Sequence, residues 1–284
     1  MTPTRSSAGA RKARRTRKRR TFWSRLLPSA RTRRRWLRAF RRTPRWLQIG
    51  VGAVAFAAVA LGVNWAYQVY RKPAELFFPI SGSLYKQPAE TWRAYGGLFR
   101  RHSTEVMTPP LLAALAQVEG SGNPVVRTYW RWSLTRAPFE IYRPASSAVG
   151  MYQITDGTFE EARGYCIHDH SVVADGPWYS VRSCWFNDLY TRTVPSHAIE
   201  MTSAYLDVRV AETLRRSPAA KPTLRQRQQL AALIHLCGTG AANAFAKRGF
   251  ALQAGQRCGA HDARSYLARV DSMQRVFASL DKPD

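Results

Sequence analysis

Apolar and polar positions along the 284-residue chain fall into three patterns. The first is an unbroken apolar run. Ile49–Tyr67 carries no charge and a single amide, Asn64. As a helix at about 1.5 Å per residue it reaches roughly 28 Å, close to the hydrocarbon thickness of a bilayer. Trp46 on one side and Trp65, Tyr67 and Tyr70 on the other suit the two membrane interfaces. The second pattern has the period of an amphipathic helix. Leu111, Leu112, Leu115 and Val118 recur at three- and four-residue spacing and predict a helix with one buried face. Thr108-Pro109-Pro110 opens it, Gly120 and Gly122 stop it, and Asn123-Pro124 keeps it stopped. Similar periodicity predicts helices over 89–101, 203–214, 224–250 with an interruption at Gly238-Thr239-Gly240, and 260–280. In the last of these, Tyr266, Leu267, Val270, Met273 and Phe277 share one side and are expected to pack on the core. The third pattern is two short aromatic runs flanking Thr135-Arg136-Ala137, which predict a β-hairpin. Its Trp130, Trp132, Phe139 and Tyr142 suit either sugar stacking or covering the core. Pro73, Pro79, Gly82 and Pro88 break the stretch after the apolar run, which reads as a stalk.

Charge changes this picture at one end of the chain. The formal net charge is +26, and residues 1–45 hold 18 of the 44 Lys and Arg with no acid, the first carboxylate being Glu75. Such a tail buries no core. It would attract nucleic acid at low salt, but no DNA- or RNA-reading motif accompanies it, so nucleic acid is disfavoured as a partner. Phe22, Trp23, Leu26 and Leu27, then Trp36, Leu37 and Phe40, interleave with arginines at helical spacing. That arrangement suits an anionic inner leaflet. The positive-inside rule places the N-terminus in the cytoplasm and everything after Tyr70 outside. Ala58-Val59-Ala60 would allow signal cleavage, but the long tail ahead of the apolar run favours an uncleaved anchor.

Cys166, Cys184, Cys237 and Cys258 all lie beyond the apolar run. An even count in an oxidising compartment points to disulfides, and of three connectivities the sequence-local one pairs Cys166 with Cys184 and Cys237 with Cys258. Cys166, His168 and His170 crowd three candidate metal ligands into five residues, without the spacing of known zinc sites. No metal or other cofactor is expected.

Glu119 is the candidate catalytic residue. It falls in the last turn of its helix, four residues after Leu115, where the helix dipole and desolvation both disfavour ionisation. A carboxyl kept protonated near neutral pH is what general-acid cleavage of a glycosidic bond requires. Val118-Glu119-Gly120-Ser121-Gly122-Asn123-Pro124, followed by Ala148-Val149-Gly150-Met151-Tyr152-Gln153-Ile154-Thr155-Asp156-Gly157-Thr158-Phe159, resembles the two signatures of the soluble-lytic-transglycosylase (SLT, goose-lysozyme-like) domain. The segments 198–209 and 230–242 are similar to two later family segments in the same order. The resemblance covers roughly residues 108–255.

It implies a lysozyme-like (SLT) catalytic domain; with the hairpin, apolar run and basic tail read above, the expected architecture is a mainly α catalytic domain with a small β-hairpin, preceded by one transmembrane helix and a basic tail. The chain then divides into a cytoplasmic tail (1–45), a transmembrane helix (46–70), a stalk with a short helix (71–107) and the catalytic domain (108–284). The implied activity is cleavage of the MurNAc-β-1,4-GlcNAc bond of peptidoglycan with 1,6-anhydroMurNAc formation, Glu119 acting as the single general acid and base. Met151, Tyr152, Gln153, Tyr205 and His235 are the implied substrate-binding residues. The implied partners are glycan strands, the bacterial inner membrane and a cell-envelope or secretion complex, with the catalytic domain periplasmic. Three residues depart from the family pattern: Gly120 stands where Ser is usual, and His235-Leu236 replaces a Tyr-Asn pair. The departures keep two rivals open, lysozyme-type hydrolysis with Glu140 or Asp156 holding a water, and a non-catalytic peptidoglycan-binding scaffold.

Overall fold

The computed structural model describes residues 29–133, 137, 139–177, 179–180, 182–217 and 221–282. The expectations for Phe22, Trp23, Leu26, Leu27 and Thr135-Arg136 lie outside them. The chain forms two compact units, one ending at Leu61 and one running from Gly62.

The described part of the first unit holds helix α1 (Ala30–Arg41) and the start of α2 (Arg45–Arg71). The Ser29 hydroxyl caps α1 by accepting from the Thr32 amide at 3.2 Å. Trp36, Leu37 and Phe40 are exposed along α1. Helix α2 is long and apolar enough to cross a membrane, and none of its apolar window is buried within the protein.

The second unit is mainly helical. Its core is built around α5 (Pro109–Gly120), packed between α4 (Pro88–Arg101) and α9 (Ala263–Leu280), with α7 (Pro195–Arg215) packed on α8 (Leu224–Lys247) beside it. Residues Leu111–Ala116 of α5 are all buried, so the helix is enclosed all round there rather than on one face. The reason is composition, since a run of Leu and Ala offers no polar face to turn toward water. Three two-stranded antiparallel sheets decorate the helices: β1 (Trp130–Trp132) with β2 (Tyr142–Pro144), β3 (Tyr165–His168) with β4 (Ser171–Ala174), and β5 (Arg257–Cys258) with β6 (His261–Asp262). The predicted hairpin is thus present, with Trp130 opposite Pro144 and Trp132 opposite Tyr142. Helix α8 breaks at Gly238, where φ is +74° and ψ 177°, within the predicted interruption. Both sequence-local disulfides form, Cys166–Cys184 and Cys237–Cys258.

The proline-broken segment does not form a stalk. A 3₁₀ turn (Pro73–Phe77) and a helical turn α3 (Phe78–Ser81) fold onto the unit. Glu75 is fully buried, paired with Lys72 at 3.4 Å and Arg127 at 3.2 Å, and accepts from the Trp130 indole at 2.9 Å. Asn123, also fully buried, donates to the Ser81 carbonyl at 2.6 Å and accepts from the Val125 amide at 2.9 Å. Prolines here end helices without preventing compact packing.

A buried polar cluster sits where α4 meets α7. Glu200 accepts from the Tyr190 hydroxyl at 2.7 Å and the Ile167 amide at 3.0 Å. His102 lies 3.6 Å from the same carboxylate and 3.1 Å from the Ser196 hydroxyl. Burial lowers the pKa of His102 and, less enclosed, of His197, against the opposing pull of Glu200. The folded imidazoles therefore resist protonation that the unfolded ones accept below their ordinary value of 6.5. Their contribution to stability should be unaffected by pH above that value and fall as pH drops below it, because the unfolded state then binds more protons. Thermal unfolding compared at neutral pH and at pH about 5.5 checks this: His102→Gln should flatten the dependence.

Candidate functional site

Glu119 is the penultimate residue of α5, and the end of that helix is held from three directions. Ser121 takes the left-handed conformation, φ +48°, and the amides of Ser121 and Gly122 donate back to the Gln117 and Ala116 carbonyls at 3.0 and 3.1 Å. Gln117 accepts from the Thr91 hydroxyl at 2.7 Å and donates to the Lys86 carbonyl at 2.9 Å. Gly120 lies against the loop that carries the second signature: a Cβ at position 120 would stand 2.9 Å from both the Cα and the carbonyl oxygen of Met151. Gly120 therefore does not serve as the left-handed stop that its position suggests. Ser121 and Gly122 do that, and Gly120 permits the backbones of the two signatures to touch.

The Glu119 side chain is 19 % exposed and meets residues from two other helices. The Tyr266 hydroxyl, from α9, donates to its Oε1 at 2.5 Å, and His235 Nε2, from α8, lies 3.8 Å from the same oxygen. Burial first, and then the neighbouring carboxylate, hold the Tyr266 phenol well above its ordinary pKa, so it stays a donor. His235 is 11 % exposed. The assembly is a carboxyl with one fixed donor, one imidazole at longer range and one edge open to solvent.

Of the residues expected to bind substrate, the structure brings only His235 to Glu119 by side chain. Met151 and Tyr152 do not line a cleft, which corrects that expectation: both are fully buried, and the Tyr152 hydroxyl donates to the Leu112 carbonyl at 3.1 Å. An apolar side chain and a ring beside the buried middle of α5 gain more from packing there than from water. Gln153 has φ +49° and donates to the Gly150 carbonyl at 2.9 Å, bracing the turn and leaving its amide oxygen without a partner among the described residues. Tyr205 donates to Glu161 at 3.2 Å with the Arg209 guanidinium over its ring, so its polar end belongs to an ion-pair cluster between α6 (Asp156–Ala162) and α7.

The rival second carboxylates are both tied to arginines. Glu140 bridges Arg71 and Arg143, each at 2.9 Å, and Asp156 pairs with Arg192 at 2.8 Å. Among the described residues no group of three His, Cys, Asp or Glu is placed to hold a metal ion. Cys166 is in its disulfide, and His170 engages Ser103.

Tyr266 is the site residue that the sequence placed in the core without a role. Its signal was chemical: a tyrosine on an otherwise apolar face carries a hydroxyl that needs a partner when buried. Comparison with known protein families, curated proteins and solved structures finds no match for this chain.

Proposed function

We propose that the chain is a membrane-anchored peptidoglycan lytic transglycosylase of the SLT, lysozyme-like kind, with Glu119 as its one acid and base. The observation that carries the reading is the setting of Glu119: a largely enclosed carboxyl at the end of a buried helix, gripped by Tyr266, with the second signature's backbone pressed against Gly120. In the first step Glu119 gives its proton to the glycosidic oxygen as the bond to C1 breaks, and the substrate's acetamido group shields the cation. In the second, the Glu119 carboxylate takes the proton of the C6 hydroxyl, whose oxygen closes on C1 as the 1,6-anhydro ring. The proton returns to Glu119 and no water is consumed. The arginine pairing of Glu140 and Asp156 supports this one-carboxyl route over one in which a second free carboxylate activates water. Helix α2 anchors the enzyme in the bacterial inner membrane, with the N-terminus cytoplasmic and the catalytic unit, with its two disulfides, periplasmic.

Incubating the detergent-solubilised full chain with purified sacculi tests the reading. Released fragments should end in a sugar lighter by one water than a hydrolysed end. Hydrolysed ends would move the assignment to a muramidase, and tight binding without release would leave a scaffold. Tyr266→Phe should cut the release rate roughly tenfold, the worth of about 1.4 kcal/mol from a charge-assisted hydrogen bond. Steady-state release from labelled sacculi measures it, and the loss should fall on kcat because the tyrosine holds the acid and not the glycan.

A further inference from the structure

The β1–β2 hairpin carries exposed aromatic rings, Trp132 and Phe139. It is fastened to the last turns of α2, all within the unit that begins at Gly62. Asn64 donates to the Tyr142 carbonyl at 2.7 Å, Gln68 to the Phe139 carbonyl at 2.6 Å, and Arg71 pairs with Glu140 at 2.9 Å. These three positions, at spacings of four and three, form one polar stripe on an apolar helix. The amides of Asn64 and Gln68 are buried under the hairpin. Tyr67 packs on Phe139 with ring centroids 5.3 Å apart.

This fastening sets the hairpin's height. Asn64 lies inside the apolar run and about 10 Å before Arg71 along the helix, at 1.5 Å per residue. Tyr142, level with Asn64, therefore stands beside residues 62–67 of the apolar run; its cross-strand partner Trp132 is 69 % exposed, and Phe139, level with Gln68 in the connection between the strands, is 42 % exposed. Strand alternation sets Trp132 and Tyr142 against a second face. There Arg131 lies directly opposite Arg143, a like-charge pair that costs stability unless anions neutralise it. Glu140 answers Arg143 only in part, because Arg71 shares the same carboxylate. Aromatic rings beside the end of an apolar helix, with arginines turned the other way, match the apolar-to-anionic gradient of a phospholipid interface.

We propose that the hairpin lies in the outer leaflet's interface, Trp132 and Phe139 among the upper acyl chains and Arg131 and Arg143 on lipid phosphates. The inference rests on the reading of α2 as a membrane span. It holds the catalytic unit down on the bilayer without a stalk and confines it to the glycan nearest the membrane.

Spin labelling of the full chain tests it, in nanodiscs of phosphatidylethanolamine with a minority of phosphatidylglycerol. All four native cysteines are in disulfides, so Trp132→Cys and, separately, Phe139→Cys each take one nitroxide. Val54→Cys in the apolar run and Lys221→Cys on the exposed surface supply lipid and water references. The ratio of oxygen to nickel-chelate collision rates at 132 and 139 should exceed that at 221 several-fold and approach that at 54. A water-like ratio at both hairpin sites with a lipid-like ratio at 54 overturns the inference and leaves the span standing. Shielding from both reagents means that protein, such as a second copy, covers the hairpin, and also overturns it. A water-like ratio at 54 removes the span, and the inference with it.

Discussion

Replacing Glu119 by glutamine should lower glycan release from sacculi by about a thousandfold while leaving the fold unchanged, the middle of the range for loss of general acid–base catalysis. The substitution is nearly isosteric. The new side chain's carbonyl oxygen can still accept from Tyr266, and only the exchangeable proton is lost. A scaffold would bind sacculi equally with either residue and release nothing from either. A hydrolase with a second working carboxylate would lose activity too, so product mass must accompany the rate. Unchanged thermal unfolding of Glu119→Gln is the necessary control. Equal release by both proteins ends the proposed mechanism.

Replacing Gly150 by alanine should have the largest effect on stability. Its φ is +78°, a left-handed conformation that costs an L-residue about 1–2 kcal/mol. A Cβ there would also stand 2.2 Å from the Arg192 carbonyl oxygen and 3.3 Å from that of Pro124, both backbone atoms that cannot rotate aside. Strain and clash together make a loss of about 2–4 kcal/mol, or on the order of 10 °C in Tm for a unit of this size. The same turn receives the Gln153 side-chain amide on the Gly150 carbonyl and pairs Val149 with Ile154. Its distortion would draw Met151 away from Gly120, and activity should fall further than unfolding alone explains. Gly157→Ala is the matched control. Gly157 is helical and has nothing within 4 Å of its Cβ position, so that change should leave stability unchanged or add up to about 1 kcal/mol. Scanning calorimetry on the three proteins separates the cases, and a Gly150→Ala protein as stable as the parent would refute the account of the turn.

The resemblance to two short signatures singled out Glu119 and the turn beside it, but not what each residue of the turn is for. Gly150 and Gln153 shape the loop by positive φ, whereas Met151 and Tyr152 belong to the core. A motif read one residue at a time suggests contact with substrate for Met151, Tyr152 and Gln153 alike. In a tight turn each side chain's direction follows from that residue's own φ and ψ, and here the buried middle of α5 takes both Met151 and Tyr152. The stalk expectation failed for a related reason. Prolines fix φ and end hydrogen-bonded runs, but the buried Glu75 and Asn123 show that compactness came from partners 52 and 42 residues away.

Much of what near neighbours decide was legible in the chain: most of the helices, the β1–β2 hairpin, the break at Gly238, the membrane-length helix and which cysteines stand close enough to pair; the start of α7 at Pro195, eight residues before the predicted 203, and the β3–β4 and β5–β6 hairpins were not. Hydrophobic period, capping residues and turn residues act over a few positions, so they can be read without a fold. What each face meets was settled by packing alone. It set Tyr266 against Glu119 across 147 residues, pressed Gly120 onto Met151, and laid the hairpin on Asn64 and Gln68. Periodicity marks a face as apolar or polar, but the identity of its partner follows from how whole helices pack, and no local rule carries that information.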